Sequence, residues 1–445
     1  MAAELEYQTQ PAAKGVRLSS PVRDGASRLL LEFLVLASAS LLYQGGIVFA
    51  NLYAARILGP AAYGVLAAVY LGISYSVYLT LGVTNAMGLE VPLCRGRGED
   101  ASQFTAAAWL MTLFASTAAA ALALGYGIWE TNDSHVRACL VFSIPLTALL
   151  LAQAFFLAHL RAQKEFFQVS WQQAITGTAI LASSIPLTRE FGIPGFMGAQ
   201  SLAILLALCV LGRRLRLPCF TREALRAIPG LIRLGIPIAA VGFVYTLLYT
   251  ADRWIVLDHF GAGSLGRYAL ATRIASVGLL VSSVIADQMY PRIAECYGRT
   301  GNPSALRPLM LQQQRMMLGI MIPVVTLVFI AAPGVMTRFF PVYAASAPLL
   351  RIFLVGYLFL CGSQPLGVVL NVLRRQGAYL TVQGICLAGL FAACLATIRL
   401  GGGLVAVAET VSGVFAGYLI LLWIVTERVL GAAGAPPDKD LPTAA

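Results

Sequence analysis

Charge is what this sequence has least of. Of its 445 residues 11% are Asp, Glu, Lys or Arg and 58% are hydrophobic, with a mean hydropathy of +0.78. A soluble globular chain carries about 25% charge. Runs of about 20 apolar residues, each enough to cross a bilayer as a helix, recur along the whole length. No stretch between them is long enough for a separate soluble domain, so the composition implies a polytopic membrane protein. Paired cysteines are also missing. Cys94, Cys139, Cys209, Cys219, Cys296, Cys361, Cys386 and Cys394 form no CxxC pair. Most lie in apolar runs, where a free thiol behaves as a small hydrophobe. Histidine is scarcer still, and His135, His159 and His259 lack any metal-ligand spacing. We therefore expect no disulfide framework, no metal and no cofactor. No short apolar core with a small-residue cleavage site precedes the first long run, so no cleaved signal peptide is expected.

What the chain does have is positive charge in a pattern. A net charge of +11 would suit nucleic acid, but in a membrane chain it reflects cytoplasmic loops rich in Arg and Lys. The apolar runs predict twelve helices, at about 29–53, 63–86, 104–128, 137–159, 170–188, 193–212, 231–257, 265–290, 315–337, 346–371, 377–398 and 402–427. With the N-terminus cytoplasmic, the tails and every second loop hold 22 of the 31 basic residues. The basic loop at 212–233 is the strongest marker, and both termini are predicted on its side. The external loops are all short.

A repeat underlies this pattern. "LGPAAYGVLA" (58–67) follows the first predicted helix and "FGAGSLGRYALA" (260–271) follows the seventh. Gly59 and Gly64 recur as Gly261 and Gly266, and glycine at such links permits a tight turn. Six helices separate the copies, so the halves share one orientation. The expected fold is all-α, with two parallel six-helix lobes. The expected organisation is a cytoplasmic tail at 1–28, an N-lobe at 29–212, a basic linker at 213–230, a C-lobe at 231–428 and a disordered tail at 429–445.

Several segments together carry a family resemblance: "ARILGPAAYG" (55–64), "LGVTNAMGLEVPLCRGRG" (81–98), "LIRLGIPIAAVGF" (231–243), "TADRWIVLDHFG" (250–261), "GRYALATR" (266–273) and "YPRIAE" (290–295). The chain resembles the oligosaccharide-lipid flippases of the polysaccharide-transporter (Wzx-type) branch of the MOP superfamily, over nearly all of 29–428. The resemblance implies two six-helix bundles around a central cavity in a bacterial cytoplasmic membrane. It also implies a cargo, undecaprenyl-diphosphate-linked oligosaccharide moved from the inner to the outer leaflet for O-antigen or exopolysaccharide biosynthesis. Membrane lipid and polysaccharide polymerase or export machinery are the implied partners, and nucleic acid is not.

Such a cargo keeps its polyprenyl tail in lipid, but its diphosphate and glycan need a wet groove with cationic groups. Arg suits the diphosphate because its planar fork makes bidentate contacts. Charged residues at membrane depth are rare and normally face a cavity or a partner, so each is a candidate. In the seventh predicted helix Tyr245, Tyr249 and Asp252 share a face, with Arg253 about 100° round. The eighth carries Arg267, Arg273 and Asp287. The cavity candidates are Arg273, Asp252, Arg253, Tyr249, Tyr245, Arg351, Asn51 and Arg56, and the ion-coupling candidates are Asp252, Asp287 and Glu32. An Asp252–Arg273 pair locking two helices, or snorkelling of Arg253, Arg267 and Arg56, is the structural alternative. Tyr70, Tyr75 and Tyr78 suit either a sugar path or an aromatic belt.

Two rival functions remain at this stage. A cation-coupled multidrug exporter of the same superfamily would need a cavity dominated by carboxylates. A membrane-embedded glycan polymerase or ligase would need a catalytic set near the outer face, and the short external loops argue against it.

Overall fold

The structure, a computed structural model, describes residues 21–97, 99–129, 134–212 and 221–431. The terminal tails up to residue 20 and from residue 432, and much of the expected linker (213–220), lie outside the described residues. So do the side chains of Glu32 and Asp287. The described residues form helices and short 3-10 turns, with no strand among them. In chain order the helices are α1 (Pro21–Ser76), α2 (Val83–Arg97), α3 (Ser102–Trp129), α4 (Ser134–Ala162), α5 (Phe166–Gly212) and α6 (Arg222–Leu248). They continue with α7 (Ala251–Ala275), α8 (Val277–Thr300), α9 (Arg307–Phe339), α10 (Ala347–Val372), α11 (Gln376–Arg399) and α12 (Leu404–Gly431). Nine helical stretches among the described residues are long and apolar enough to cross a membrane. The chain is an all-α, multi-pass membrane protein.

Three of the helices contain a reversal at a glycine. Gly59 (φ 72, ψ 173) divides α1, Gly192 (φ 62, ψ −133) divides α5 and Gly261 (φ 75, ψ 173) divides α7. The conformation at Gly59 and Gly261 is one that only glycine adopts readily. Pro60 follows Gly59 at the start of the next helical segment, where its missing N–H costs nothing. The 202-residue offset read in the sequence thus has a backbone counterpart.

A second correspondence was not legible in the sequence. Lys164 (φ 63) and Arg374 (φ 54) both cap helices in the left-handed region, where glycine is usual. The following residues bond back identically: Glu165 N–H to the Leu160 carbonyl and Arg375 N–H to the Leu370 carbonyl, each at 2.9 Å.

Two predicted helices are not continuous. The seventh, expected over 231–257, is interrupted at Tyr249–Thr250 between α6 and α7. The eighth, expected over 265–290, is interrupted at Ser276 between α7 and α8. The chain between α1 and α2 is likewise unwound through the 3-10 turn Val77–Thr80, Leu81 (φ 51) and Gly82 (φ 74). Lipid supplies no hydrophobic drive between apolar helices, so close backbone packing and interhelical hydrogen bonds must hold them. Gly64 abuts Gly266, and Gly82 abuts Gly235 of α6. Gly46 of α1 abuts Gly177 of α5 in the same way. A column of buried rings, Tyr268, Phe353, Tyr357 and Phe415, fills the interior between α7, α10 and α12.

Candidate functional site

The break between α6 and α7 is held open from α1 and the turn that follows it. Tyr78 Oη donates to the Gly242 carbonyl (2.9 Å) and meets Thr246 Oγ1 at 2.7 Å. Tyr75 Oη meets Thr250 Oγ1 at 2.8 Å, and Thr250 Oγ1 in turn donates to the Thr246 carbonyl at 2.5 Å. Carbonyls near the end of a helix lack partners within it, and these hydroxyls supply them. Tyr75 and Tyr78 therefore serve as cross-chain clamps, rather than standing free along a sugar path or in an aromatic belt. Tyr70 Oη donates to Gln200 Oε1 at 2.7 Å.

The break sets Asp252 in the first turn of α7, where the positive end of the helix favours an acid. Asp252 is 1% exposed. Its Oδ2 accepts a hydrogen bond from Tyr268 Oη, and its Oδ1 has no partner. Arg253 turns elsewhere. Its Nη2 donates to Tyr357 Oη at 3.3 Å, while its Nε is enclosed without a partner.

Arg273 lies in the last turn of α7, just before the break at Ser276. Its Nε is also enclosed and unpartnered, and among the described residues no hydrogen bond or ion pair holds its guanidinium. The expected Asp252–Arg273 pair is not formed, because Asp252 bonds Tyr268 on its own helix instead. The ring of Tyr63, 3% exposed, lies within electrostatic reach of both Arg253 and Arg273. One acid and two arginines are thus gathered around the breaks in α6–α7 and α7–α8.

The other candidates fall away from this centre. Arg351 Nε donates to the Phe329 carbonyl at 3.1 Å, and its guanidinium lies 5.0 Å over the Phe329 ring. Pro333 sits four residues after Phe329 inside α9, so that carbonyl has lost its helical donor. Arg351 replaces it, a structural duty. Asn51 Nδ2 donates to the Ile47 carbonyl of its own helix at 2.8 Å. Arg56 is exposed, and Arg267 donates to Ser264 Oγ at 3.3 Å. Tyr245 Oη accepts from Gln364 Nε2 at 2.7 Å, and its ring packs on Tyr249 at 5.4 Å. Both tyrosines are half-buried.

Sequence reasoning missed Tyr63, Tyr268 and Tyr357. Tyr63 and Tyr268 flank the repeated glycines Gly64 and Gly266, a signal within reach; Tyr357 carried none. Chemically, two arginines with unused donors and no carboxylate bonded to either make an anion site. An uncompensated buried cation is costly, so such a site draws in an anion or water.

The family model for polysaccharide biosynthesis proteins matches residues 54–341 of this chain. No curated protein matches it. Among solved structures, a multidrug-resistance MATE family transporter of the MOP superfamily in an inward-facing conformation is 16% identical. The alignment covers 90% of this chain and 98% of that one with a TM-score of 0.72. The lipid II flippase MurJ, in an inward closed conformation, is 13% identical over 89% of this chain and 87% of its own, with a TM-score of 0.69. A MOP superfamily transporter from Pyrococcus furiosus, described as having a binding pocket of reversed polarity, is 14% identical over 91% and 96%, with a TM-score of 0.68. At these identities the likeness is one of fold. The fold is that of MOP superfamily transporters, and the chain belongs to the polysaccharide biosynthesis protein family.

Proposed function

We propose that this protein is a flippase for polyprenyl-diphosphate-linked oligosaccharide, moving it from the cytoplasmic to the outer leaflet of a bacterial cytoplasmic membrane by alternating access. The observation that carries the reading is the pair Arg253 and Arg273, set at helix breaks beside Tyr63, with enclosed Nε groups that no protein atom satisfies. A diphosphate entering the bilayer loses its hydration and needs positive charge in return. Discontinuous helices at a lobe interface are where transporters place such sites.

In this reading the chain has twelve crossings, obtained by dividing the stretches Ser38–Thr80, Phe166–Gly212 and Arg222–Thr300 at Gly59, Gly192 and Gly261. They form two six-helix lobes, 29–212 and 231–428, with both termini cytoplasmic. The matching dihedrals of Gly59 and Gly261 support the two lobes. Similarity to a lipid II flippase and membership of a polysaccharide family support the lipid-linked cargo. Asp252 is the ion-coupling candidate best supported by position, because its Oδ1 is free of protein partners. Polysaccharide polymerase or export machinery would take up the flipped product.

The test is reconstitution in sealed vesicles carrying lipid-linked oligosaccharide extracted from the host cells. The protein should expose the glycan to a hydrolase on the opposite face. Exposure no greater than in protein-free vesicles ends the reading, and transport of a cationic dye without glycan transfer would favour an exporter.

A further inference from the structure

Two cavities of about 260 and 310 Å³ adjoin each other between α1, the unwound segment after it, and α4. They share Val77 and Leu151 and form one groove. Tyr70 and Ser74 line one end; Thr80, Thr84 and Asn85 follow; Arg161, in the last turn of α4, closes the other. The segment that lines it contains Leu81 in the left-handed region, a conformation that side-chain-bearing residues avoid and that clusters at ligand clamps. From this groove we infer a saccharide-binding site, one that holds the glycan of the cargo while Arg253 and Arg273 hold its diphosphate. This inference rests on the flippase reading and deepens it.

The chemistry of the wall selects the occupant. Ser74, Ser76 and Thr80 each spend their hydroxyl hydrogen on a carbonyl of their own helix or turn, at 2.7 Å, so their oxygens remain as acceptors. Asn85 and Arg161 add donors. Ile73 and Leu151 supply apolar faces between them. A sugar ring has the complementary build, apolar C–H faces bordered by hydroxyl groups that donate and accept. A polyprenyl tail would leave the polar atoms of the wall unpaired. Position agrees with chemistry. Tyr70 is within electrostatic reach of Arg273, so a head group with its diphosphate at Arg273 reaches Tyr70 with its first sugar and runs on toward Arg161. Behind Tyr70, Gln200 is 5% exposed and its Nε2 lacks a partner, a buried donor that an occupant of the groove would complete.

Purified protein is titrated with two probes: lipid-linked oligosaccharide extracted from the host cells, and bare polyprenyl diphosphate of the same chain length. Wild type should bind the first about tenfold more tightly, equivalent to about 1.4 kcal/mol. Leu151→Trp, which fills the shared wall, and Asn85→Leu, which removes an amide at nearly constant size, should each reduce that preference to roughly threefold or less. The readout is a ratio, so loss of folded protein does not imitate it. A preference that survives in both variants, or is absent from wild type, overturns the saccharide site and leaves the diphosphate reading standing. A fall in affinity for both probes with the ratio unchanged assigns the groove to the lipid tail and overturns it too. Failure of wild type to bind bare polyprenyl diphosphate overturns the flippase reading itself.

Discussion

Gly64 and Gly266, 202 residues apart, pack backbone against backbone. A Cβ on Gly64 would fall 1.8 Å from the Ala262 carbonyl oxygen, and one on Gly266 would fall 1.8 Å from that of Pro60. Each stands 3.0 Å from the other's amide nitrogen, so the contact is nearly the same read from either side. Neither neighbour is a flexible side-chain end, so nothing there can yield cheaply. If this seam closes the outer side of the proposed cavity, Gly64→Ala or Gly266→Ala should hold it ajar. The expected outcome is lost glycan export with protein retained in the membrane. A cysteine at Ser276 should also label several-fold faster with an impermeant thiol reagent added outside. Unchanged labelling in both variants would show that the seam does not gate access.

Arg273 has no protein partner, which makes its substitution informative. Arg273→Ala should abolish glycan export while the protein still accumulates. Arg273→Lys should recover only part of it, since a point charge replaces a bidentate fork. Because Asp252 bonds Tyr268 and not Arg273, adding Asp252→Ala to Arg273→Ala should restore nothing. Surface glycan in cells carrying these variants is the measurement, and recovery in the double variant would sink the phosphate-binding role.

The Asp252–Tyr268 bond should be worth more to stability than a surface contact. Tyr268→Phe leaves a buried carboxyl without its donor and should cost about 1–3 kcal/mol, read as a lower unfolding temperature in detergent. Asp252→Asn tests coupling separately. If Asp252 exchanges an ion during transport, the variant folds but its transport no longer varies with pH or sodium. Normal transport with a normal pH profile would make the acid purely structural.

Arg351 gives the opposite expectation. Arg351→Gln removes the donor to the Phe329 carbonyl and the cation over its ring. It should lower stability by about 1–2 kcal/mol and leave export near the wild-type level. Loss of export from a stably folded Arg351→Gln protein would return this residue to the cargo path.

Orientation is open to direct measurement. Cysteines placed in the basic loop at 212–233 should react with an impermeant thiol reagent only after the membrane is permeabilised. Labelling in intact cells would invert the proposed topology and the direction of transport.

Membrane insertion, the helical class and the positions of the repeated glycines were legible in the sequence, because each is a local property. A bilayer requires continuous apolar length, and the turns at Gly59 and Gly261 require a residue without a side chain. The break at Tyr249–Thr250 was not legible. No glycine or proline stands at those two residues, and the helix ends there because hydroxyls of Tyr75 and Tyr78, some 170 residues earlier, serve α6 and Thr250 from outside. The roles of the charges were equally undecided. Arg351 and Arg273 look alike as arginines at membrane depth, yet one answers a carbonyl orphaned by Pro333 and the other answers nothing in the protein. Sequence determined that charge would be placed in the membrane. Only the tertiary structure decided which charges are satisfied, because satisfaction depends on the atoms that distant helices bring within hydrogen-bonding distance.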